Sequence, residues 1–237
     1  MVDVFSISDP RIRDDVLDGM HAASYQFGVP IVGGHLHPDT PYSVIDVAIL
    51  GTAARDAVIY SHTANTGDVV IIAIDLDGRI HPSCALNWDS VTMKSGEKVR
   101  AQIQVLEQLG REHLVTAGKD ISNPGIIGTL GMLLEVSEKG ARIDLDHIPR
   151  PDLNTHSLTF EQWIRCYPGM GFVLTARPEH EKEITRIFSE VGMTAHSVGV
   201  VNSGRELTIS YEGEDTTVFD FSRNGVMHLF SDTPSCP

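Results

Sequence analysis

The chain has 237 residues, 41% of them apolar, and no run of about eighteen apolar side chains, which fits a soluble globular protein of one or two domains and excludes a membrane-spanning one. Eighteen basic against thirty-two acidic residues give a net charge of -14. That field repels nucleic acid and anionic membranes, so neither is expected as a partner.

The N-terminus MVDVFSISDPRIRDD lacks the basic, apolar, small-residue order of a secretion signal, and a cytoplasmic location is expected. The chain carries three cysteines, Cys84, Cys166 and Cys236, widely separated and without a CxxC pair. They support neither a disulfide framework nor a zinc site.

In chain order, Asp9 as cap, Pro10 at the first helical position and apolar residues at Ile12, Val16, Met20, Ala23 and Phe27 predict a helix that Gly28 ends. Pro30 to His35 reads as a short strand running into a turn. Ser43 to Gly51 reads as a second strand with Ile45, Val47 and Ile49 on one face and Asp46 on the other. Arg55 to Gly67 has no sustained apolar period and marks the boundary between a first unit, 1–66, and a second, 67–237.

The second unit opens on Val69 to Ile74, a continuous apolar run suited to a strand covered on both faces, closed by the turn residues Asp75, Asp77 and Gly78. Arg79 to Gly96 is the least periodic segment. Helices are predicted over Glu97 to Leu109, Pro124 to Lys139, Thr159 to Tyr167 and Pro178 to Val191. Strands are predicted at Ala141 to Leu145, Gly171 to Ala176, Ala195 to Val200, Glu206 to Tyr211 and Thr217 to Phe221. Strands and helices mix without regular βαβ alternation, so the fold class is α+β.

Two stretches carry candidate chemistry. In GKDISNPGIIGTLGMLLE, Asn123 is a good cap and Pro124 a good first helical residue, so the first-turn amides would accept phosphate oxygens. Asp120 would hold a divalent cation bridging them, with Ser122 alongside. Gly125, Gly128 and Gly131 each cost about 1 kcal/mol in a helix relative to alanine, which a close ligand or tight packing would offset. Gly125, in the first turn, is read toward the ligand. Lys119 would neutralise phosphate charge or simply face solvent.

In VGGHLHPDTP, Gly33 and Gly34 let a backbone pass close to a phosphate or a neighbouring strand. His35 and His37 share a face in an extended chain and could instead open a metal site with Asp39. No other histidine has ligand spacing, so that hydrolase reading has the least support.

These stretches resemble the superfamily of aminoimidazole ribonucleotide (AIR) synthetase, thiamine-monophosphate kinase, selenophosphate synthetase and a hydrogenase-maturation protein. PIVGGHLHPDTPYSVIDVAILGTA is similar to the Gly-Gly turn and following strand of the first domain. GDVVIIAID and KDISNPGIIGTLGMLLEVSEKGARIDLDHIP resemble the second domain. The wording is nearest that of AIR synthase-related proteins, also through LTFEQWIRCYPGMGFVLTA.

The resemblance implies an incomplete AIR synthase-like N-terminal, barrel-forming unit followed by an AIR synthase-like C-terminal α/β domain. It implies a homodimer whose first-domain sheets close into a barrel, with ATP and magnesium bound beside it and phosphoryl transfer to a small-molecule acceptor. Carried over by position, Gly33, Gly34 and His35 would face the nucleotide cleft, with Ser122, Asn123 and Gly125 across it and Asp120 on the metal.

Leu36 departs from the threonine usual after this turn. The aspartate-rich strand and glycine-rich loop that precede the first helix in full-length members have no counterpart, so Ser43 to Gly51 is expected to lack sheet partners and expose its edges. The alternative is a non-catalytic dimeric binding or maturation partner that keeps the fold.

Overall fold

The computed structural model describes residues 1–37 and 40–227. Strand β1 (Val2–Ser6) leads through a 3₁₀ turn (Pro10–Ile12) into α1 (Arg13–Phe27), followed by β2 (Gly33–His37) and β3 (Val44–Ala48). The expected first helix is therefore split. Asp9 accepts from the Arg11 amide at 3.0 Å and holds the 3₁₀ turn, while Gly28 closes α1 at φ 70°.

β1 corrects the expectation that Ser43 to Gly51 has no partner. It is the middle strand of a three-stranded sheet, parallel to β2 and antiparallel to β3. Asp3, Phe5 and Ile7 are buried, whereas Val2 and Val4 on the alternate positions are both 45% exposed. One face of this small sheet is thus open, and Val4 lies on it in register between His35 and Asp46.

The next elements are β4 (Val69–Ile74), β5 (Arg79–His81), β6 (Cys84–Asp89), α2 (Gly96–Arg111), β7 (Ala117–Asp120), α3 (Gly125–Ser137), β8 (Gly140–Asp144) and α4 (Phe160–Arg165). After them come β9 (Tyr167–Pro168), β10 (Gly171–Ala176), α5 (Glu181–Glu190), β11 (Thr194–Asn202), β12 (Glu206–Tyr211) and β13 (Glu214–Asp220). Seven strands form one sheet in the order β13-β12-β8-β11-β4-β10-β7. β5 and β6, within the segment that shows no period in sequence, form a small sheet with β9, whose Tyr167 ends the predicted fourth helix in a strand instead.

Strand alternation in β4 divides the core in two. Val70, Ile72 and Ile74 join Ile126, Leu130, Leu133 and Leu134 of α3, while Val69, Ile71 and Ala73 join Val99, Val105 and Leu109 of α2 and Ile184, Ile187 and Phe188 of α5. All six β4 residues are buried, and each of its valines and isoleucines contributes about 1.5–3 kcal/mol. Helix α4 begins as predicted, because Thr159 and Gln162 form a reciprocal capping box.

Asp89 ends β6 and ties down the loop before α2. Burial pushes its carboxyl upward, but the Thr92 hydroxyl, the Thr92 and Val91 amides at 2.9 and 3.2 Å, and the Arg79 charge outweigh it and hold the group below the ordinary carboxylate value. A depressed folded pKa contributes stability above the unfolded value of about 3.9 and loses it as pH falls through the folded one. Thr92→Val should therefore cost about 1 kcal/mol in urea unfolding at pH 7 and less at pH 3. Equal losses at both pH values would show that the bond does not favour the ionised form.

Candidate functional site

β7 is an edge strand of the large sheet, yet its outer side is not bare. The chain from Ala57 to Thr63 runs along it: the Gly118 amide donates to the Tyr60 carbonyl at 3.0 Å, and the Thr63 hydroxyl to the Thr116 carbonyl at 2.6 Å. Two glycines permit this approach. A Cβ on Gly110 would collide with the Ala57 carbonyl, and one on Gly118 would lie 2.8 Å from Leu174 and 2.9 Å from Ile59.

Between this strap, the second half of α2, β7 and β10 lies a cleft of about 980 Å³. Phe172 and Leu174 form its floor, and Val58, Ile59 and Leu106 form apolar walls. Thr52, Ser61, Lys119 and Asp120 bring polar groups to it, and Glu107 and Arg111, paired at 2.6 Å, close one rim. Asp120 is the last residue of β7; its side chain is 68% exposed, and Lys119 Nζ stands 3.8 Å from its Oδ1. An exposed carboxylate at a cleft mouth is a hard oxygen donor suited to magnesium, which takes one or two protein carboxylates and keeps waters and phosphates for its other positions.

Of the residues singled out in sequence, Asp120 and Lys119 line this cleft; Gly33, Gly34, His35, Ser122, Asn123 and Gly125 do not. The start of α3 is built differently from the expectation. Pro124, with no side-chain cap, occupies the cap position in place of Asn123. The Gly125 amide donates to Ser122 O at 2.7 Å and the Ser122 amide to Thr129 Oγ1 at 3.2 Å, so both are engaged within the chain.

Gly125 has φ 79°, and the carbonyls of Ile164 and Arg165 lie 2.9 Å from where its Cβ would stand. That glycine meets α4, so packing accounts for it without a ligand. Gly128 faces the Pro124 ring and Gly131 faces Phe219 and Val226, so these too are packing glycines.

Gly33, Gly34 and His35 are strand residues of β2 rather than a turn. A Cβ on Gly34 would overlap the Asp3 carboxylate on the neighbouring strand, which accounts for that glycine. His35 and His37 share a face, with ring centroids 4.6 Å apart. Asp39, their expected third partner, lies outside the described residues, and among the described residues no group of three or more His, Cys, Asp or Glu is disposed to hold a metal ion. The strap and the α2 rim went unrecognised in sequence because their apposition joins segments about fifty residues apart; the glycines Gly110 and Gly118 were the available local signal.

A family profile described as AIR synthase related protein, C-terminal domain, matches residues 56–212. Protein MJ0640 of Methanocaldococcus jannaschii is 46% identical over 223 residues, spanning 94% of this chain and 68% of that protein. Among solved structures, Thermotoga maritima PurL complexed with ATP superposes with a TM-score of 0.71 at 19% identity, over 97% of this chain and 37% of PurL. Hydrogenase maturation protein HypE in complex with ATP gives 0.67 at 15% identity, over 92% of this chain and 72% of HypE. The chain thus spans about two thirds of MJ0640 and little more than a third of PurL, and at these identities the two structures establish a shared fold. Among the described residues no helix is long and apolar enough to cross a membrane.

Proposed function

The chain belongs to the AIR synthase-related family, and from that premise we propose that it binds ATP and takes part in ATP-dependent phosphoryl transfer to a small-molecule acceptor. The observation that carries this reading is Asp120, an exposed carboxylate ending β7 at the mouth of a cleft of about 980 Å³, with Lys119 beside it. Support comes from two structural neighbours, PurL and HypE, each solved with ATP.

In this reading Asp120 holds magnesium on the nucleotide's phosphates and Lys119 offsets their charge against a chain of net charge -14. Magnesium, when bound, neutralises the charge of the transferring group. Gly33, Gly34 and His35 on the small sheet, and Ser122, Asn123 and Gly125 at the start of α3, remain proposed nucleotide contacts by position in the family. The division into units 1–66 and 67–237 and the cytoplasmic location belong to the same proposal. Thermal denaturation tests it: magnesium with ATP should raise the melting temperature of the wild type, and a shift that persists undiminished in Asp120→Ala removes this carboxylate from the site.

The reading includes a homodimer formed through the small sheet. Its open face exposes Val2, Val4 and Val44 beside His35 and Asp46, and Ile49 just past β3 is exposed as well. Val4→Lys should convert a dimer to a monomer in sedimentation velocity; a wild type that is monomeric at micromolar concentration argues against this interface.

A further inference from the structure

The inner part of the Asp120 cleft has a chemistry that a phosphate tail does not use. Its floor, Phe172 and Leu174, is 8% and 1% exposed, and Val58, Ile59 and Leu106 wall it with carbon. A volume of about 980 Å³ is at the upper end of the range of about 300–1,000 Å³ usual for small-molecule sites. Its polar lining includes two cations, Arg111 on α2 and Lys119 on β7.

The two cations differ in availability; Lys119, in register with Val173, leaves β7 on the face opposite Phe172 and Leu174, and its ammonium comes within 3.8 Å of Asp120 at the edge of the sheet. Arg111 is engaged by Glu107 at 2.6 Å, whereas Lys119 meets Asp120 at 3.8 Å, beyond hydrogen-bond reach, and its side chain is 25% exposed. A largely sheltered ammonium that Asp120 holds only at 3.8 Å, on a residue lining an apolar pocket, complements an anionic group carried on an apolar body. The segment leading into the strap adds Ala54 to the lining, and residues 51–56 are all exposed.

We propose that this cleft binds an amphipathic anion, a flat or chain-like apolar body ending in a carboxylate, phosphate or sulfonate, with Lys119 taking the anionic end. The inference rests on the proposed function only in sharing the Asp120 cleft. It names the class of small molecule that enters beneath the strap.

The probe is 8-anilinonaphthalene-1-sulfonate, which has a flat apolar body and one anionic group, titrated by fluorescence in the absence of magnesium and nucleotide. The wild type should bind it saturably with one site per chain. Ala54→Trp, which fills the cleft from an exposed position, and Lys119→Gln should each weaken binding at least about tenfold, a loss of about 1.4 kcal/mol. Val4→Lys, on the open face of the small sheet, should leave it unchanged.

Circular dichroism melts confirm that each variant is folded. Absence of saturable binding, or binding that survives Ala54→Trp and is lost in Val4→Lys, overturns the site. Binding unaffected by Lys119→Gln overturns the anion. Because no magnesium or ATP is present, failure of the nucleotide reading leaves this result intact, and the converse holds.

Discussion

Lys94→Met is expected to lower the free energy of unfolding by about 3–5 kcal/mol, the usual cost of stranding one member of a buried ion pair. Asp75 follows β4 at the edge of the core with 0% exposure, and Lys94, whose side chain is 8% exposed, forms an ion pair with it. The remaining partners of Asp75 are neutral: the Asp77 amide at 3.0 Å and Gln102 Nε2 at 2.6 Å. Its own carbonyl accepts from Trp88 Nε1 at 3.0 Å. Methionine keeps the length of the lysine stem and removes the ammonium with its charge and its hydrogen bond to Asp75, so the carboxylate stays buried without a counter-ion.

Asp77 provides the contrast. Its side chain is 76% exposed; the Lys94 charge, 3.6 Å away, leads the causes that hold its carboxyl below the ordinary value. Solvent screens that pair, so Asp77→Asn should cost less than about 1 kcal/mol. Urea unfolding of the two variants checks both expectations. A loss under about 1 kcal/mol for Lys94→Met would mean that the pair contributes nothing beyond a surface bridge.

Gly125→Ala is the second large effect expected. A non-glycine residue at φ 79° carries about 1–3 kcal/mol of backbone strain, and the added methyl must displace the Ile164 and Arg165 carbonyls, 2.9 Å away, at about 1–3 kcal/mol more. The two costs fall at the contact between α3 and α4, where Trp163 is 1% exposed and donates to the Pro149 carbonyl at 2.9 Å. Thermal and urea unfolding of the ligand-free protein measure the effect. A ligand-free stability equal to wild type would show that neither the positive φ nor the contact with α4 requires a glycine at this position.

Sequence reasoning reached the elements whose residues repeat. Val69 to Ile74 is legible because a strand covered on both faces must be apolar throughout, and α2, α3 and α5 are legible through their apolar spacing. β1 escaped because Asp3 and Ser6 make VDVFS look polar, although Asp3 is buried against Gly34. β7, with the sequence AGKD, and the two-residue β9 carry no pattern; only their neighbours make them strands.

The candidate site divides along the same line. Asp120 is visible as an acid ahead of a helix; the structure places it, exposed, among the residues lining the cleft. The strap over Gly110 and Gly118 is a tertiary contact, and nothing near Ala57 foretells it. The glycines of α3 are ambiguous for the opposite reason, since a glycine required by a neighbouring helix or strand looks in sequence like one required by a phosphate. Asp75, read as a turn residue, owes its ion pair to Lys94, nineteen residues on.

Calorimetric titration of magnesium-ATP into the wild-type chain and into Asp120→Ala tests the central claim most directly. Binding with one site per chain in the wild type, weakened at least about tenfold by the substitution, is the predicted result. No measurable heat with the wild type, or equal affinity in both proteins, would contradict it and leave the chain sharing only a fold with its ATP-bound relatives.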